Sequence, residues 1–413
     1  MTGLRTRPHR LRSASLAALS LAFASAVAAA CADAGSPADT ILDGGGPDTS
    51  PDTSPPDAAS DAGADGDARG SNVADACSAA GWCATDLDPS LTVDDLWPLE
   101  GSAVAVASRG GRSSVLLYAD ASWSVIHQVP FLLVSIWASA NDVWVSGQAG
   151  SVKHGHRGDD GWTWTDHPLA VSSVVSTVWG TGAHDVYALA DGRVWRLPLE
   201  SDGAPPAGSD WLVDYGSASG PEPDVTLVSL TGRTEGDLWV TGSRGSFPRC
   251  GLALHKTGGA WVNVVDSTPT PSATPFEPPR CATSGAVALM APFGKGTAIA
   301  EGELVALTDV GPTQPTSFAR VRHHEDGGAE LTLAPRIADV KSLWGVSADD
   351  LYAASFSVVE RGQDIWTDAG AWQVSTVAFE GIALAKPFYV VRGTRSDNLW
   401  LAGESHAFHK STP

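Results

Sequence analysis

Two short runs in this chain carry side chains that could hold a metal ion. His154 and His156 stand two residues apart, which on a strand places both imidazoles on one face, with Asp159 and Asp160 just beyond. His323 and His324 open the run HHED. Consecutive strand residues point to opposite sides, so that pair chelates only if its loop folds back. His154, His255 and His409 also recur in similar settings, before a glycine or a lysine. A histidine repeated at one structural position reads as a feature of the repeat, and a solvated strand end explains His154 and His156 as well as a metal does. The expectation is no metal and no cofactor. Glycoside hydrolysis would need two carboxylates facing one cleft, and no such pair stands out. Motifs for a serine hydrolase, a zinc protease or a phosphate loop do not occur in a credible context.

The elements that would position these residues come from a phrase said seven times. It is clearest as IWASANDVWVS from Ile136 and VWGTGAHDVYA from Val178, and returns from Leu230, Leu343 and Val391, with weaker copies from Leu96 and Leu289. A period of this order signals a repeat architecture. A unit has a β-branched apolar run, a turn of Gly, Ser, Ala and Asp, a short alternating strand, a third strand such as GRVWRLPL, and in most copies a fourth carrying Trp123, Trp162, Trp211, Trp261 or Trp372, with GGAELTL near Glu330 lacking the Trp. Four short strands per unit make a propeller blade. The unit from Val391 lacks a fourth strand, while GWC around Trp82 is a fourth strand without its first three. Together they complete one blade. The expected fold is an all-β, seven-bladed propeller over 77–413, closed by that N-terminal strand. Asp142, Asp185, Asp237, Asp350 and Asn398 sit just before the second strand, where a short polar side chain can bond turn NH groups. Trp137, Trp179 and Trp344 are expected between blades.

Ahead of the repeats, Arg5, Arg7, Arg10 and Arg12 precede an apolar stretch that ends in Ala28, Ala29 and Ala30. This reads as a signal peptide over 1–30. Residues 31–76 are Asp, Pro, Ala, Gly, Ser and Thr with almost no large apolar side chain, the composition of a disordered acidic tether. The formal net charge of −21 argues against a nucleic-acid partner. With Cys31 set aside, Cys77, Cys83, Cys250 and Cys281 remain for two disulfides in an oxidising compartment. Three connectivities are open; proximity and loop bracketing favour Cys77–Cys83 and Cys250–Cys281. A zinc site is the rival, disfavoured because no CxxC or nearby His partner appears.

Three resemblances add to this reading. The small residues before Cys31 resemble a bacterial lipobox, although Ala28 stands where Leu is usual, and imply that Cys31 is lipidated. GDDGWTW (158–164) is similar to the Asp-box turn of sialidase-type propellers, a structural hairpin, with Arg157 in place of its Ser. WASANDVWVSGQAGSVKH and WGTGAHDVYALADGRVW resemble the repeats of exported β-propeller lipoproteins from myxobacteria and related bacteria. That last resemblance implies the fold and the address, and supplies no functional residue. It also marks Thr231, Met290 and Arg392 as departures, which puts the packing of their blades in question. The expected localisation is the cell envelope, as an outer-membrane lipoprotein held by its lipid alone, with soluble secretion the alternative. The expected role is a non-enzymatic binding scaffold that presents the loops Ser201–Gly208, Asp266–Arg280 and Asp309–Gly327 to a protein or glycan partner. A polysaccharide hydrolase or lyase working from the central channel, and a structural envelope protein, are the alternatives.

Overall fold

The computed structural model describes residues 77–412, apart from 183–184, 201–204, 206–209, 218–219, 221–223, 247–248, 271–279, 309–316, 336–339 and a few single or paired positions at 284–290 and 369–385. The signal peptide, the tether, Cys31, Met290 and the parts 201–204, 206–208, 271–279 and 309–316 of the three long loops lie outside the described residues.

Seven sheets of four main strands form a seven-bladed β-propeller. Blades 1 to 7 cover 92–129, 133–166, 177–215, 225–270, 293–335, 342–375 and 388–410. A short strand, Arg280–Thr283, extends blade 4. Blade 7 is finished by Trp82–Ala84, which pairs antiparallel with Ala407–Lys410 in the register Trp82↔Lys410, Cys83↔His409 and Ala84↔Phe408. The expected closure is therefore present. Within blades the chain alternates β-branched and aromatic residues between tight turns. One is Asp191–Gly192, whose φ values of 53° and 68° suit the primed turn that fits strand twist.

The core lies between blades, in six clusters each drawn from neighbouring sheets. Two repeated contacts hold them together. On the inner strands, the Trp of one blade covers the small residue of the next. A Cβ on Gly180 would fall 2.7 Å from the Trp137 ring, and one on Gly393 3.0 Å from Trp344. On the outer strands, a Trp reaches back to the preceding blade. Trp82 Nε1 donates to Ser375 Oγ, Trp123 to Thr85 Oγ1, Trp211 to the His167 carbonyl and Trp261 to Asp214. In blade 2 the register gives this role to Trp164, opposite Gly155 and stacked on His127, rather than to Trp162, which pairs one step further along at Arg157.

Blade 5 also departs from the sequence reading. Its inner strand is Phe293–Ala300 and its second strand begins at Glu303, so the residue matching the inner-strand Trp is Thr297, opposite Val305, and not Met290. The stretch Ser317–His323, placed in a loop by the sequence, is its third strand. Glycine and small residues in LMAPFGKGTAIA blurred the strand period there.

Trp82 is fully buried. Trp82→Ala should cost about 3–5 kcal/mol and broaden the urea transition as the ring loses its closing strand. Gly180→Ala should cost about 1–3 kcal/mol in the same measurement, because the Trp137 ring has to move.

Candidate functional site: the staples and the central channel

The residues that could do chemistry fall into two sets. The first repeats at one register position. Asp142, Asp185, Asp237, Asp350 and Asn398 open the second strands of blades 2, 3, 4, 6 and 7, and Glu303 opens that of blade 5. Two residues on stands Trp144, Tyr187, Trp239, Tyr352 or Trp400, paired across the sheet with His154, Arg196, His255, Arg361 or His409. Each third-strand base returns to the acid or amide. His154 Nε2 is 2.9 Å from Asp142 Oδ1, His255 Nε2 2.9 Å from Asp237 Oδ1, and His409 Nε2 3.0 Å from Asn398 Oδ1. Arg361 Nε donates to Asp350 at 2.8 Å and Arg320 Nε to Glu303 at 2.6 Å, while Arg196 lies 3.7 Å from Asp185. Where the aromatic is Trp the base is a His stacked on it, with ring centroids 4.2–4.3 Å apart. Where it is Tyr the base is Arg.

These polar positions thus bind a base on the third strand, and some bind the next blade. Asp237 Oδ1 accepts the Gly302 N–H, and Asn398 Nδ2 donates to the Leu99 carbonyl. His156 Nδ1 shares the Asp142 oxygen at 2.9 Å, so Asp142, His154 and His156 present three ligand atoms within 4.8 Å of one another. That group could hold a cation, but blades 4 and 7 build the same His contact with no second imidazole on the acid or amide. His323 and His324 diverge. His323 meets His255 of blade 4 at 2.8 Å, whereas His324 lies 3.6 Å from Glu330.

The second set lines the channel, where seven inner strands meet. Its first tier is Asp95, Ser135, Thr177, Ser229, Lys295, Ser342 and Val390; two residues on, the second includes Trp97, Trp179, Thr231, Thr297, Trp344 and Arg392. Four of these groups accept N–H groups of another blade, while Thr177 Oγ1 donates to the Val228 carbonyl. Asp95 Oδ2 takes Ile136 N at 3.1 Å, Ser135 Oγ takes Val178 N at 3.2 Å, and Ser229 Oγ takes Gly296 N at 3.4 Å. Ser342 Oγ takes Val391 N at 3.1 Å. The two described departures from the repeat are also absorbed. Thr231 Oγ1 accepts the Ala298 N–H, and Arg392 places its guanidinium 4.9 Å over the Trp97 ring and 3.2 Å from Asp95.

The tiers enclose a cavity of about 210 Å³. Its charged lining residues are Asp95, Lys295 and Arg392. The Lys295 side chain is exposed to the channel, where partial desolvation by the converging strands holds its ammonium below the ordinary lysine value, with Asp95 opposing and Arg392 adding to the effect. Sequence reasoning missed Lys295 and Arg392. A lysine in one repeat where the others carry Ser, Thr, Asp or Val was the available signal, hidden by the misread register of blade 5.

No family model and no curated protein matches the chain. Among solved structures it is similar to YCF48 bound to a D1 peptide, at 15% identity and TM-score 0.55, over 81% of this chain and 97% of that one. It is similar to U3-55K at 12% identity and TM-score 0.52, over 80% and 99%. A third likeness is to the extracellular domain of a one-component system from B. thetaiotaomicron, at 10% identity and TM-score 0.54, over 80% of this chain and 40% of that one. These likenesses show the fold. Cys77–Cys83 and Cys250–Cys281 are the disulfides, a pairing suited to an oxidising compartment outside the cytoplasm. No helix of the described residues is long and apolar enough to cross a membrane.

Burial, as the main cause, pushes His127, His167, His323 and His409 below their ordinary value of 6.5. The unfolded chain then binds more protons than the fold around and below pH 6.5. The stability these neutral rings contribute is present above that pH and lost as pH falls through their lower folded values. Thermal unfolding followed from about pH 7.5 to about pH 5 should show a falling midpoint, with a shallower fall in His409→Gln.

Proposed function

We propose that this chain is a non-enzymatic binding propeller of the bacterial cell envelope, exported, anchored by lipid on Cys31, and presenting its ring to a protein partner. The observation that carries the reading is the fate of the acids and imidazoles. They recur at one register position and are bonded to their own blade or its neighbour, as structural staples are. What differs from blade to blade is the set of turns and the channel lining, and variable surface on a rigid scaffold is where binding resides. A YCF48 propeller of similar fold is described as bound to a peptide, and the disulfides fit an exported protein. The repeats resemble those of myxobacterial propeller lipoproteins, which supports the same address.

The test is crosslinking of the full chain in whole envelopes. One protein recovered reproducibly with the native chain is the expected result, and Cys31→Ala should move the propeller from the membrane fraction to the soluble one. Recovery of no reproducible protein would overturn the partner reading. Turnover of a glycoside panel, abolished by replacing channel acid Asp95, would overturn the non-enzymatic one.

A further inference from the structure

The channel holds a charge that the ring itself does not use. In the first tier, Asp95, Ser135, Ser229 and Ser342 each accept an N–H from another blade. A lysine ammonium has donors and no acceptor, so Lys295 cannot make that tie. Among the described residues it has no hydrogen-bond or ion-pair partner. Its side chain is exposed to the channel, so the ammonium is free to meet an anion that enters there.

We propose that Lys295 and Arg392 together bind the carboxylate of a small organic monoacid in the channel. The charge balance selects this chemistry. Asp95 is already matched by the Arg392 guanidinium at 3.2 Å and by the N–H groups of Leu96 and Ile136 at 3.0 and 3.1 Å. One positive charge remains, on Lys295. A single carboxylate neutralises it, whereas a phosphate group near neutral pH brings close to two negative charges. Arg392 is held against Trp97 and turns one amino group to Asp95, which leaves further N–H donors of its fixed fork for a ligand oxygen. Trp344 and Val390 supply apolar wall for the acid's carbon body. At about 210 Å³ the space lies below that of drug-sized sites, so the ligand is small or is one end of a chain.

The carboxylate can come from a free acid or from the C-terminus of a peptide. This inference goes beyond the envelope-partner reading, and crosslinking and channel titration can fail separately. Calorimetric titration of the full chain near neutral pH should show benzoate binding and no binding of benzamide, its neutral isostere. Lys295→Met should weaken benzoate at least tenfold while leaving the unfolding midpoint unchanged, because the side chain is exposed and ties no two blades together. Lys295→Arg should restore most of the affinity. A tripeptide with a free C-terminus, compared with its amide, separates the sources; binding of either acid that depends on Lys295 upholds the site. Failure of both acids to bind, equal binding by Lys295→Met, or inorganic phosphate binding as tightly as benzoate would overturn it. Should Lys295→Met fold poorly, the Lys295 side-chain NMR signal of the wild-type protein gives the same answer: a shift with benzoate or with the free-C-terminus tripeptide, and none with benzamide or the tripeptide amide, upholds the site, and no shift with either acid overturns it.

Discussion

The pairing of Trp82–Ala84 with Ala407–Lys410 is the contact on which the rest of the molecule depends. Each blade buries its faces against two neighbours, so a ring missing one strand exposes apolar surface at a seam and leaves an open sheet edge. The closing strand brings Trp82 into full burial and ties its indole to blade 6. Closing a loop of this length costs only slowly more entropy than a shorter one, while the buried faces grow with every blade. A long chain can therefore hold its two ends in one sheet.

Closure puts all seven inner strands in register, which explains why one position is filled by different chemistry. The second-strand acid needs a partner that can donate to it and also lie flat on the aromatic two residues along. An imidazole does this on Trp, as in Trp144 with His154. A guanidinium does it beside Tyr, as in Arg361, which pairs with Asp350 and sits 5.5 Å over Tyr352. Asn398 replaces the acid in blade 7 and keeps the geometry without a charge. Such groups look catalytic one at a time and structural when all blades are compared.

The blade count, the closing strand and the recurrence of His154, His255 and His409 were legible in the sequence because turn signals and period-two alternation are local. Blade 2 was misread at Trp162 because two tryptophans stand two apart, and only pairing with Gly155 shows that Trp164 is the one that reaches blade 1. Blade 5 was misread because Gly294 and Gly296 interrupt its inner strand, and a bulge between Phe293 and Gly296 shifts its register. Thr231 and Arg392 looked like defects. Each makes a contact to the next blade that a Trp at the same position does not: a hydroxyl tie to Ala298 and a cation on Trp97.

The sequence by itself determined the strands, their grouping in fours and the means of closure, since these follow from alternation, glycine turns and a strand missing from one repeat and present near Trp82. Only the tertiary structure decided which residues share the channel. Asp95, Lys295 and Arg392 come from blades 1, 5 and 7, far apart along the chain, and meet because the inner strands converge on one axis. The charge left on Lys295 depends on what stands across that axis, a relation no local pattern encodes.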